Sequence, residues 1–181
     1  MKMGNAIGMI ELSSIAEGVN TADVMVKAAN VELIHASTVC PGKYVAIVHG
    51  EVGAVRASMK AGLGAAGHYV VDDLLIPNID PQICPAIMMT TEPGEIEAVG
   101  VIEYFSVASA IMAADVAVKA ANVRLIEIRI GFAIGGKGFV TLTGDVGSVR
   151  AAVAAAAKEE ALLVSKTVIP KPSRQLVEKL I

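Results

Sequence analysis

Tryptophan is missing from this 181-residue chain, and three phenylalanines and three tyrosines are its only aromatic rings. So few stacking platforms, together with a net charge of -3 and an isoelectric point near 5.6, exclude a broad basic surface for nucleic acid. Long apolar runs are missing too. Although 54% of the residues are hydrophobic, charges such as Asp115 and Lys119 interrupt every stretch before the roughly 18 residues that a membrane span requires. The opening MKMGNAIGMIELSS has one lysine and a short apolar run ended by Glu11, with no small-residue cleavage site, so it reads as the start of a cytoplasmic protein. Cysteine is scarce. Cys40 and Cys84 are too few for a disulfide framework, and a reducing compartment leaves reactivity or metal ligation as the uses of an exposed thiol.

What the chain does contain is one unit written twice. AIGMIELSSIAEGVNTADVMVKAANVELI (6–34) aligns without gaps to AVGVIEYFSVASAIMAADVAVKAANVRLI (98–126), and GKYVAIVHGEVGAVRAS (42–58) aligns to GKGFVTLTGDVGSVRAA (136–152). The second copy is two residues longer between these blocks, in the loop that carries Cys40 in the first copy and reads GFAIGGKG (131–138) in the second. The duplication has diverged most where a function would sit. Each copy reads strand, helix, strand, strand, helix, strand, a split βαβ-ββ-αβ unit of the α+β class. Ser13 or Ser14 caps a first helix whose apolar positions Ile15, Val19, Ala22, Val26 and Ala29 have helical spacing. Asn30 ends it. Cys-Pro-Gly joins two β-rich runs as a hairpin turn, because Pro fixes φ and Gly accepts positive φ. A second helix from about Glu51 places Val52, Val55, Met59, Leu63 and Ala66 on one stripe, and YVVDDLLIP supplies the last strand. The Pro-rich segment 78–97 reads as a linker, giving domains at 5–90 and 97–181.

Most chemistry-bearing residues have an ordinary structural reading. Gly131, Gly136 and Lys137 have the spacing of a phosphate-binding loop, but Gly138 stands where Ser or Thr would bind Mg²⁺ and a strand follows instead of a helix. A flexible glycine loop lining an opening or an interface fits better. His35, His49 and His68 lie in or beside strands without metal-ligand spacing and read as structural or surface residues. Glu11 and Glu103 occupy matching strand ends, and nothing brackets them as an acid/base pair. Lys27 with Asn30, and Lys119 with Asn122, repeat within the hexapeptide VKAANV, which favours a shared contact role over a merely solvated helix face. Cys84, before Pro85, reads as structural. Cys40 differs, because a Pro-Gly turn tip is a poor place to bury a thiol. One thiolate cannot hold an iron–sulfur cluster, but three chains meeting at a three-fold axis through this hairpin would bring three together.

The ordered pattern GxIE, AADxxxKAANV, GK, GDVGxVRAA and IP of the second copy, matched in the first by GxIE, TADxxxKAANV, GK, GEVGxVRAS and IP, over about 6–83 and 98–176, resembles the bacterial microcompartment shell domain. Two such domains in one chain resemble the tandem-domain trimeric shell proteins. The loops VCPGK (39–43) and AIGGK (133–137) resemble the iron–sulfur-bearing shell trimers of propanediol-utilisation microcompartments. The resemblance implies a structural protein of the cytoplasmic microcompartment shell, not an enzyme. It further implies a homotrimer forming a flat pseudohexamer, tiled among neighbouring hexameric and trimeric shell proteins through Lys27, Asn30, Lys119 and Asn122. Cys40 from each chain is expected to ligate one [4Fe-4S] cluster per trimer at the central pore, for electron transfer with encapsulated or cytosolic redox enzymes. The pore loop would comprise Val39, Pro41, Gly42, Lys43, Ile134, Gly135, Gly136 and Lys137, and Lys43 or backbone N–H groups would offset the cluster's charge. The rival readings are a metabolite pore without metal and a small-molecule-binding protein that uses GFAIGGKG. No nucleic-acid or membrane partner is expected.

Overall fold

The computed structural model describes residues 4–158 and 162–180; the last residue of the expected second domain, Ile181, lies outside them. The first repeat contains β1 (Ala6–Leu12), α1 (Ile15–Ala28), β2 (Glu32–Val39), β3 (Lys43–Gly50), α2 (Val52–Ala66) and β4 (Val70–Ile76). After α3 (Ile83–Ile87), the second repeat contains β5 (Ala98–Tyr104), α4 (Val107–Ala120), β6 (Arg124–Ile130), β7 (Gly138–Gly144), α5 (Val146–Ala156) and β8 (Leu163–Pro170). A short α6 (Arg174–Leu180) follows. Each repeat folds as an antiparallel four-stranded sheet with two packed helices, the α+β architecture expected, with strand orders β2-β3-β1-β4 and β6-β7-β5-β8. The compact units are residues 1–81 with 132–136, and residues 82–131 with 137–181.

The local reasons for the first unit are visible in its residues. Ser14 caps α1 by accepting from the Glu17 N–H, and β1 pairs along its whole length with β3 and from Ile7 to Leu12 with β4. All seven residues of β1 are buried, so this strand is the centre of the sheet. The stripe expected on α2 is found: Val55, Met59 and Ala66 are buried, and Val52 and Leu63 pack against that core. Gly62 holds α2 close to α1, since a Cβ there would fall 2.5 Å from the Met25 side chain.

The face expected for α1 is corrected. Gly18, Thr21, Ala22 and Met25 turn inward, whereas Ile15, Val19 and Val26 are exposed. The cause is Gly18, where a Cβ would stand 2.4 Å from that of Tyr44; its small size lets this face of the helix lie on the sheet. The linker is corrected as well. Segment 78–97 contains α3, with Ile83, Cys84, Ala86 and Ile87 buried, and α3 lies against β6. Pro85 is tolerated because the first turn has no N–H bonds to lose. Residues 82–90, read with the first domain from sequence, thus lie in the second compact unit.

Candidate functional site

The β2–β3 hairpin positions Cys40. Strand pairing runs to Val39 opposite Lys43, leaving Cys40, Pro41 and Gly42 as the turn. Gly42 takes φ +77, the left-handed conformation expected of it, and the Cys40–Pro41 peptide is cis. The thiol is free and half-buried. Loop residue Gly136 backs this turn within the first unit: a Cβ there would stand 2.4 Å from the Cys40 carbonyl oxygen and 3.5 Å from the Lys43 ammonium. Glycine at 136 is thus required by close approach of backbone as well as by its φ of +78.

Lys43 does not point its charge freely toward the turn tip. Its Nζ ion-pairs with the buried carboxylate of Glu11, so a net-neutral pair anchors the base of the hairpin. Of the two groups expected to offset a cluster's charge, Lys43 or backbone N–H groups, the Lys43 ammonium thus has the Glu11 carboxylate as a partner within the chain. The second repeat has the same device, with Lys137 Nζ 2.5 Å from Glu103 Oε1. Lys137 is therefore spent on a carboxylate, and the next element is strand β7, both against a phosphate site. Sequence reasoning noted these glutamates and lysines separately. Their common recurrence, Glu11 with Glu103 and Lys43 with Lys137, was the signal that they pair.

The loop of the second repeat follows another path. Gly131 N–H bonds the Lys137 carbonyl at 3.0 Å, and Ala133, Gly135 and Gly136 all take positive φ. Ile134, the aligned counterpart of Cys40, brings no donor atom to it. The expected edge residues stand at the ends of α1 and α4. Lys27 reaches Asp23 and Lys119 reaches Asp115, both at 2.5 Å and both one helical turn back. The Asn30 and Asn122 backbone carbonyls back onto Gly50 and Gly144.

The histidines have structural surroundings. His35 Nε2 is 2.8 Å from Ser37 Oγ, and burial holds its pKa below the usual value. His49 is buried in β3, and His68 stacks on Tyr69. Cys84 is buried in α3. Among the described residues, no group of three or more His, Cys, Asp or Glu side chains of one chain is placed to hold a metal ion. No described helix is long and apolar enough to cross a membrane.

The family model described as the BMC domain matches twice, at residues 6–79 and 98–172. The bacterial microcompartment shell protein PduT of Citrobacter freundii is 44% identical over 183 residues, covering 97% of this chain and all of that protein. The carboxysome assembly protein CcmO of Synechococcus elongatus is 30% identical, over 97% of this chain and 68% of its own. The crystal structure of a microcompartment protein from Desulfitobacterium hafniense superposes with a TM-score of 0.93 at 50% identity, covering 97% of this chain and 99% of that one. Both repeats being matched and nearly the whole length aligned, the chain belongs to the BMC domain family and is a bacterial microcompartment shell protein, structural in role and not an enzyme.

Proposed function

We propose that three copies of this chain form a flat ring of six domains, a homotrimer set in the shell among hexameric and trimeric neighbours, with the three Cys40 turns at its centre. Three Cys40 thiolates then hold one [4Fe-4S] cluster, which supplies one-electron transfer between the shell interior and the cytosol. Encapsulated or cytosolic redox enzymes would be its partners. The observation that carries this reading is the free, half-buried Cys40 at a hairpin tip. The donor chemistry fits. A thiolate is the soft ligand such clusters use, and one per chain, multiplied by three-fold symmetry, reaches three of a cubane's four irons and leaves the fourth without a protein thiolate. Val39, Pro41, Gly42 and Lys43, with Ile134, Gly135, Gly136 and Lys137, form the collar in this reading. Gly136 supports the Cys40 carbonyl, and the Glu11–Lys43 pair fixes the hairpin base. The edge role falls to Lys27, Asn30, Lys119 and Asn122.

The test is iron, acid-labile sulfide and visible absorbance on anaerobically purified protein, with Cys40→Ala as control. About four irons per three chains, lost in the variant, are expected of one cubane. No iron in either protein would sink the cluster and make the centre a metabolite pore, its selectivity set by lining groups and diameter.

A further inference from the structure

The two repeats place the same residues in unequal surroundings. Leu33 of β2 is 39% exposed, whereas its counterpart Leu125 of β6 is 2% exposed. Val19 of α1 is 55% exposed, whereas its counterpart Ile111 of α4 is fully buried. Part of the cover on β6 comes from the segment that follows β4. There α3 lies on β6, and the Gln82 carboxamide closes its open edge, donating to the Val123 carbonyl at 3.2 Å and accepting from the Leu125 N–H at 2.9 Å. On β2 the corresponding groups are the Val31 carbonyl and the Leu33 N–H. Among the described residues no side chain meets either.

A counterpart of the covering segment, sharing its first proline and its glutamine, follows β8. PNIDPQICPAI (77–87) aligns without gaps to PKPSRQLVEKL (170–180), placing Gln175 on Gln82, Leu176 on Ile83, Val177 on Cys84 and Leu180 on Ile87. Yet α3 is seated and α6 is not. Four of the five α3 residues are buried, whereas α6 has none, and its Gln175 is exposed. Leu176, Val177 and Leu180 are half-buried, and the end of α6 meets its own unit where Lys179 and Leu180 line a cavity with Ile126, Glu127 and Arg129.

We propose that α6 of one copy of this chain covers β2 of another copy. The Gln175 carboxamide donates to the Val31 carbonyl and accepts from the Leu33 N–H, and Leu176, Val177 and Leu180 lie over Leu33 and Ile34. The occupant is a second copy because β2 stands open among the described residues, while the chain carries both the open edge and an exposed counterpart of the element that closes such an edge. A head-to-tail contact of this kind, repeated, closes a ring. The inference rests on the ring-forming reading above and names the contact that makes the ring.

The test is amide hydrogen exchange on the intact protein, paired with its molar mass in solution. In the oligomer, the Leu33 amide should exchange about five- to tenfold more slowly than in Gln175→Ala, the loss of roughly one hydrogen bond. Gln82→Ala should release Leu125 by a similar factor and leave Leu33 alone. Protection of Leu125 in Gln175→Ala reports that the variant is folded. An oligomer whose Leu33 is unprotected, or equally protected in Gln175→Ala and in Leu176→Asp/Leu180→Asp, overturns this contact and leaves the ring standing. A monomeric wild-type protein overturns both.

Discussion

Glu11 with Lys43 and Glu103 with Lys137 are one ion pair built twice, but the first is sealed and the second is open. The Glu11 and Lys43 side chains are 2% and 20% exposed, against 30% and 33% for Glu103 and Lys137. The difference teaches where the molecule invests rigidity. The sealed pair stands beneath the short hairpin that carries the thiol, and the open pair stands beneath a longer glycine loop with no donor side chain at the matching tip. In the proposed trimer, a thiol that meets two symmetry copies at one point needs a fixed base; a loop that only frames the opening does not.

The largest expected effect comes from moving the thiol between these loops. Placing it on the second loop, as Cys40→Ala/Ile134→Cys, should not restore the iron lost in Cys40→Ala. Three positive-φ residues surround Ile134, against Gly42 alone beside Cys40, so the tips follow different paths. Recovery of about four irons per three chains would erase the distinction, since one cubane would then accept either tip. Next is the ion pair itself. Lys43→Met leaves a buried carboxylate unpaired and should lower stability by about 3 kcal/mol, whereas Lys137→Met should cost about 1 kcal/mol or less, because its partner remains hydrated. Urea unfolding at one protein concentration checks both, and equal midpoints would contradict the sealed-versus-open contrast.

A smaller effect separates two glycines of nearly equal backbone conformation. Gly42→Ala meets no atom within 4 Å and should show only the cost of a left-handed residue, about 1–2 kcal/mol. Gly136→Ala adds a clash with the Cys40 carbonyl, and should cost about 1 kcal/mol more and reduce iron content. If the two variants unfold alike and both keep their iron, Gly136 does not support the turn.

These contrasts also mark what was legible in the sequence. The duplication, the strand and helix order, the Ser14 cap and the Cys-Pro-Gly turn could all be read, because each is local or repeats at a fixed offset. The buried face of α1 could not. Hydropathy favours Ile15 and Val19, whereas the actual contact is made by Gly18, whose absent side chain admits Tyr44. Helix α3 was hidden by Pro81 and Pro85, which read as linker until burial of Ile83 and Ile87 shows a seated turn. The Glu11–Lys43 pair bridges β1 and the start of β3, a closeness that follows from strand register and not from sequence spacing. For Cys40 the sequence located an exposed turn.

The smallest effect distinguishes β2 from β6 by pH. His35 of β2 and Glu127 of β6 are counterparts, but burial lowers the His35 pKa below its ordinary 6.5, while Glu127 binds Arg129 at 2.6 and 2.8 Å. A histidine whose folded-state pKa is depressed takes up its proton more readily when unfolded. Its contribution to stability is therefore present above about pH 6.5 and is lost as pH falls through the lower folded-state value. Acidification from pH 7 toward 5 should accelerate amide exchange in β2, after correction for the intrinsic rate, more than in β6. His35→Gln should remove most of that difference, because glutamine stays neutral at both pH values while still able to bond Ser37. If β2 and β6 respond equally in the wild-type protein, or if His35→Gln preserves the difference, the acid sensitivity of β2 does not reside in His35.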